Sequence, residues 1–104
     1  MLKDNLLAEL TKKFALRIIK LYRYLTHEKQ EFVISKQVYR SGTSIGANVA
    51  ESKNAQSKAD FVNKLSIALK EADETKYWLE LLYESEVISQ SEFDSVHNDL
   101  KVII

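Results

Sequence analysis

The sequence predicts an all-α fold, an antiparallel up-down-up-down four-helix bundle forming one domain over residues 1–104. Three observations predict it. Apolar residues recur at steps of three and four through four separate segments, the period of an amphipathic helix. The 104 residues contain no proline and only two glycines, too few turn formers for an all-β chain. The breaks between the periodic segments are short, as connections between antiparallel neighbours are.

The first helix is expected over about 5–26. Leu7, Leu10, Phe14, Ile18, Leu21 and Leu25 form one stripe, widened by Leu6, Ile19 and Tyr22. Asp4 or Asn5 is a candidate N-cap, and "THEKQE" breaks the pattern. The second helix, about 32–54, has to account for both glycines of the chain. Stepping from Ile34 through Val38, Ser41, Ile45, Asn48 or Val49 and Ser52, the apolar phase set before the glycines is kept after them. A loop has no reason to preserve phase, so "SGTSIG" reads as helix. Each interior glycine costs about 1 kcal/mol relative to alanine. Gly42, Gly46 and Ala50 lie four apart, a row of small residues that lets two backbones approach. The facing partner is either another helix of this chain or another subunit, and a local kink near Gly42 to Ser44 is allowed.

The third helix, about 58–84, carries a heptad seam of Phe61, Leu65, Ala68, Ala72, Thr75, Leu79 and Leu82, the pattern of bundles crossing at about 20°. Ser57 with Asp60 resembles a capping box. Ile67, Trp78 and Leu81 fall outside the seam and suggest self-association. The fourth helix, about 90–103, opens with Ser89 and Glu92 as a capping box and with Ile88 and Phe93 at the hydrophobic-staple positions. Phe93, Val96, Leu100 and Ile103 form its stripe.

The chemistry of known sites is missing from the pattern. A phosphate-binding loop needs a strand before it and a lysine after it; here helix precedes and Ala47 follows. A bundle-core metal pair needs two E-x-x-H motifs, and the chain has only His27 and His97. Gly42-Thr43-Ser44-Ile45-Gly46 spells G-x-S-x-G, but it lies inside a helical segment without the strand-to-helix turn of a nucleophile elbow, so Ser44 reads as a helix-packing hydroxyl. There is no cysteine for a disulfide or thiolate site, and no apolar run approaches the ~18 residues of a membrane span. The expectation is a soluble cytoplasmic protein without export signal, enzymatic activity, metal, cofactor, small-molecule substrate or membrane partner.

Net charge is zero, yet its distribution is uneven. Residues 1–27 carry six Lys/Arg against two Asp/Glu, whereas residues 86–104 carry one against four. This fits a basic helix lying beside an acidic one in the same chain, a head-to-tail contact between subunits, or a nucleic-acid face. The neutral total weighs against the last. The one candidate polyanion site is the row Lys13, Arg17, Lys20 and Arg23, with Lys12 and Tyr24 nearby and Lys36 and Arg40 as an extension. Trp78 and Tyr77 fit a core edge or a subunit interface before a base-stacking platform.

"QVYRSGTSIGANVAES", followed by "SKADFVNKLSIALKEADETKYWLELL" and preceded by "FALRIIKLY", resembles the four-helix-bundle family encoded in intervening sequences of bacterial 23S ribosomal RNA genes. The resemblance covers roughly residues 5–104. It implies a bundle that assembles as a homopentameric ring, with no enzymatic activity and a biological role left open. It also implies similarity to the accessory variability protein of diversity-generating retroelements, which binds nucleic acid and a reverse transcriptase. Arg40, Ser44, Asn48 and Glu51 match the family's signature positions. With Gly42, Gly46, Ala50 and Trp78 they are expected at helix-packing or subunit contacts. Arg40 and Glu51 are read as structural polar partners, and Asn48 as satisfying a buried group. The expected partners are further copies of the chain, with RNA or DNA as the alternative.

Overall fold

In the computed structural model, which describes residues 2–104 with side chains from Leu6 onward, four helices account for nearly all of the chain: α1 (Leu2–His27), α2 (Ile34–Ser52), α3 (Lys58–Glu84) and α4 (Gln90–Ile103). Among the described residues there is no strand. Each helix packs on two others, in the cyclic order α1, α2, α3, α4. Contacts run in opposite order along neighbouring helices. Gly42 of α2 faces Ile18 of α1, while Gly46 faces Thr11. Arg40 reaches Glu71 and Glu74 of α3, while Glu51 reaches Lys64.

The core is drawn from the stripes read from the sequence, with Ile88 added from the α3–α4 connection and Leu10 and Phe61 left outside it. Phe14, Ile18, Leu21 and Leu25 of α1 meet Val38, Ile45 and Val49 of α2, with Ala68, Ala72, Leu79 and Leu82 of α3 and Val96 and Leu100 of α4. Burying such side chains stabilises by roughly 1.5–3 kcal/mol each. Five hydroxyl residues share the interior: Thr11, Ser35, Ser41, Ser52 and Thr75. Thr11 donates back to the Leu7 carbonyl at 2.9 Å. Thr75 is bonded to the Ser41 hydroxyl at 2.9 Å and donates to the Glu71 carbonyl at 2.8 Å. Paired in this way, Thr11, Ser41 and Thr75 avoid the cost of an orphaned polar group, whereas the Ser35 hydroxyl has no partner among the described residues.

The glycine stretch is helix throughout, and its packing partner is α1 of the same chain. A Cβ on Gly42 would stand 2.7 Å from Ile18 Cγ1, and one on Gly46 would stand 3.1 Å from the Thr11 carbonyl oxygen. Ala50, the next member of the row, is exposed.

Helix ends follow their caps, with corrections to the expected boundaries. α3 starts where Ser57 accepts the Asp60 N–H at 3.0 Å. Asp60 reaches the Gln56 N–H instead of closing the box on Ser57. α4 has the full capping box, Ser89 taking the Glu92 N–H at 3.1 Å and Glu92 the Ser89 N–H at 2.7 Å. α2 is two residues shorter at each end than expected. Its N-cap, Val33, offers no side-chain bond. The Glu31 carboxylate instead reaches forward to the N–H groups of Val33, Ile34 and Ser35. That leaves Phe32 and Val33 outside the helix and exposed. α1 already begins at Leu2, so Asp4 and Asn5 are helical positions and not its caps.

Both chain reversals that bring α1 to α2 and α3 to α4 pass through a left-handed residue that is not glycine: Gln30 with φ 53° and Glu86 with φ 65°. At the second, Val87 N–H reaches the Leu82 carbonyl at 2.9 Å and Glu86 N–H the Tyr83 carbonyl at 3.0 Å. That pair of bonds is a Schellman motif.

Candidate functional site

An open groove of 830 Å³ runs between α1 and α4. Lys13, Leu16, Arg17, Lys20, Leu21 and Tyr24 form its α1 side, four of them one helical turn apart on a single face. Ser91, Glu92, Ser95 and Val96 form the α4 side. Leu21 and Val96 belong to the core, so the groove opens onto the edge of the packed interior.

Three members of the sequence-predicted basic row, Lys13, Arg17 and Lys20, are brought together here; Arg23 is exposed outside the groove. Arg17 is committed inside the chain. Its guanidinium binds the Asp99 carboxylate at 2.6 Å and the Ser95 hydroxyl, bridging α1 to α4. Lys13 and Lys20 are exposed and make no ion pair among the described residues. At one end, Tyr24 lies beside the Glu92 carboxylate, whose proximity, with burial, raises the phenol above its ordinary pKa. Glu92 is held below the usual carboxylate range by the Ser89 backbone bond, with Tyr24 second. Lys29 lies over the Tyr24 ring at 5.7 Å, a cation–π contact. The basic helix therefore lies beside acidic residues of its own chain, one of the three readings of the charge asymmetry. Ser95 and Asp99, the residues that take up Arg17, carried no sequence signal beyond their i, i+4 spacing on α4.

The signature positions lie on the α2–α3 side. Arg40 pairs with Glu71 at 3.3 Å and with Glu74. Glu51 pairs with Lys64 at 2.9 Å and raises the lysine's pKa through that bond. Ser44 donates to the Arg40 carbonyl at 2.6 Å, and Asn48 to the Ser44 carbonyl at 2.8 Å. Such back-bonds satisfy mid-helix polar side chains locally. Arg40 is thus occupied on α3 and does not extend the basic row, whereas Lys36 is exposed on α2. Ile67, Trp78 and Leu81 are half-buried. The exposed apolar residues of α3 are different ones, Val62, Leu69, Tyr77 and Tyr83. His97 stacks on Phe93 at 5.0 Å, and Phe93 lies 5.3 Å from Tyr83 across the α3–α4 contact.

Residues 3–104 match the model of the 23S rRNA-intervening sequence protein family. The chain belongs to that family. A solved relative has the same fold, with TM-score 0.96 and 55% identity over 97% of this chain and 90% of its own. It is a protein of unknown function from the S23 ribosomal protein family, from Bacteroides thetaiotaomicron VPI-5482. No curated protein matches. Family membership covers essentially every residue that builds the groove and the α2–α3 contact. No described helix is long and apolar enough to cross a membrane.

Proposed function

We propose that this member of the 23S rRNA-intervening sequence protein family is a non-enzymatic protein whose working form is an assembly of antiparallel up-down-up-down bundles. The observation that carries the reading is an apolar row left uncovered on α3. Val62, Leu69 and Tyr83 stand on one face at heptad spacing, with Lys76 between the last two, and are 53%, 55% and 36% exposed. The buried α3 seam faces the bundle, so this second row lies outside the core, with Tyr83 alone of the three stacking within the chain, on Phe93. Exposed apolar rows of this kind mark interaction surfaces. The sequence's resemblance to a ring-forming bundle family supports the homopentamer as the closed form. Light scattering during gel filtration at several loadings tests the assembly. The expected mass is a multiple of the 12.0 kDa chain that holds on dilution; a single-chain mass at every loading overturns it.

A second reading, RNA binding, rests on Lys12, Lys13, Lys20 and Arg23, all exposed and without an ion-pair partner among the described residues. Phosphate contacts by these cations would give affinity that falls steeply with salt. Anisotropy with a labelled structured RNA at several salt concentrations separates the two: saturable, salt-sensitive binding abolished by Lys13→Glu/Lys20→Glu supports RNA recognition, and no binding at low salt removes it. Arg17 is a poor choice for this test, because its reversal breaks the bridge to Asp99.

A further inference from the structure

We infer that the α1–α4 groove of one copy receives the α3–α4 edge of the next, so that copies join head to tail through two different surfaces. The inference rests on the assembly reading and specifies its contact.

The groove has the character of a receptor. Its floor reaches core residues Leu21 and Val96, its wall carries Leu16 at 55% exposure, and its unpaired charges are the cations Lys13 and Lys20 with one carboxylate, Glu92, at the Tyr24 end, where it caps the Ser89 N–H. Arg17 is neutralised by Asp99 and contributes no free charge.

The matching edge lies on the other flank of α4. Ser95 and Asp99 point toward α1, whereas Phe93 and His97 stack toward Tyr83 of α3. The Tyr83–Phe93–His97 stack continues the exposed row of Val62 and Leu69. Glu80 lies one turn before Tyr83 and Asp94 next to Phe93, and neither makes an ion pair among the described residues. Lys76 and Lys101 flank the edge farther from the α3–α4 connection. The carboxylates therefore cluster beside the aromatic stack, where an apolar contact rimmed by lysines would place opposite charge against them.

The charge pattern also selects the symmetry. Two lysine-rimmed grooves facing each other would place like charges in contact, so a two-fold dimer through the groove is disfavoured. A groove taking a different surface of its neighbour is a heterologous contact, which closes into a ring when the rotation permits. Groove and edge on opposite flanks of α4 let every copy use both at once.

The test uses the full chain and three variants, with circular dichroism confirming that each is helical. Lys13→Glu/Lys20→Glu reverses the groove, Glu80→Lys/Asp94→Lys reverses the edge, and the quadruple variant reverses both. Each double variant is expected to weaken assembly about tenfold or more, with lower mass at matched concentration. The quadruple variant restores charge complementarity between copies and is expected to regain the wild-type mass. Wild-type mass in both double variants, or a folded quadruple variant that stays dissociated, overturns the pairing while leaving assembly intact. A wild-type chain that is monomeric throughout overturns the assembly reading itself.

Discussion

Replacing Gly42 with alanine tests whether close approach of α1 explains glycine in the middle of a 19-residue helix. Two terms oppose each other. Helix propensity favours alanine by about 1 kcal/mol. Against it, the new methyl would stand 2.7 Å from Ile18 Cγ1, 3.0 Å from Cγ2 and 3.1 Å from Cδ1, where ordinary contact begins at 3.4 Å. Ile18 is fully buried, and β-branching leaves it essentially one rotamer in a helix. It has nowhere to turn, so the backbones must separate, at the overpacking cost of roughly 1–3 kcal/mol. Gly42→Ala should therefore be neutral to destabilising by about 2 kcal/mol. Ile18→Ala removes all three crowding atoms and alone costs roughly 2–5 kcal/mol. In that background Gly42→Ala should become stabilising by about 1 kcal/mol, a coupling of about 1–3 kcal/mol between the sites. Urea unfolding followed by circular dichroism at one fixed concentration measures all four corners, since assembly would make stability concentration-dependent. If Gly42→Ala stabilises the wild-type chain by the full propensity term, steric contact with Ile18 is not why glycine stands there.

Three other outcomes follow from the same contacts. Thr75→Val strips the buried Ser41 hydroxyl of its inter-helix partner and should cost about 1–3 kcal/mol, whereas Ser41→Ala/Thr75→Val removes both groups and should cost less in the same urea assay; equal costs would mean that the pair is not a bond. Glu86→Gly should raise stability by about 1 kcal/mol, because relief of left-handed strain of roughly 1–2 kcal/mol exceeds glycine's added chain entropy; a lower melting temperature would contradict the φ of 65° at that residue. Glu92 is held below its unfolded pKa by the Ser89 N–H and by Tyr24. Its contribution is therefore fully present above the unfolded carboxylate value and lost as pH falls through the lower, folded one. Glu92→Gln should flatten the acid side of a melting-temperature profile, and an unchanged acid slope would show that this carboxylate is not coupled to folding.

The bounds of α3 and α4 were legible because Ser57 and Ser89 mark them with side chains that bond locally. The helical reading of "SGTSIG" was legible because Val38, Ser41, Ile45 and Val49 keep one phase through both glycines. The start of α2 was not, since Glu31 caps from outside the helix, a reach that no fixed spacing announces. Neither reversal carries glycine or asparagine at its left-handed residue, so Gln30 and Glu86 gave no turn signal. The basic row was visible as a helical face, but the fate of Arg17 was not. Asp99 is 82 residues away and Ser95 is 78, and only the tertiary fold decides that α4 lies against that face. The same holds for the glycine row, whose partner proved to be α1 of the same chain.

The measurement that tests the central claim most directly is a native mass spectrum of the wild-type chain. Head-to-tail self-assembly, with the ring size that the family resemblance implies, predicts one dominant species at five times the 12.0 kDa chain mass, with no accumulation of dimer. A spectrum containing only the single chain would contradict it.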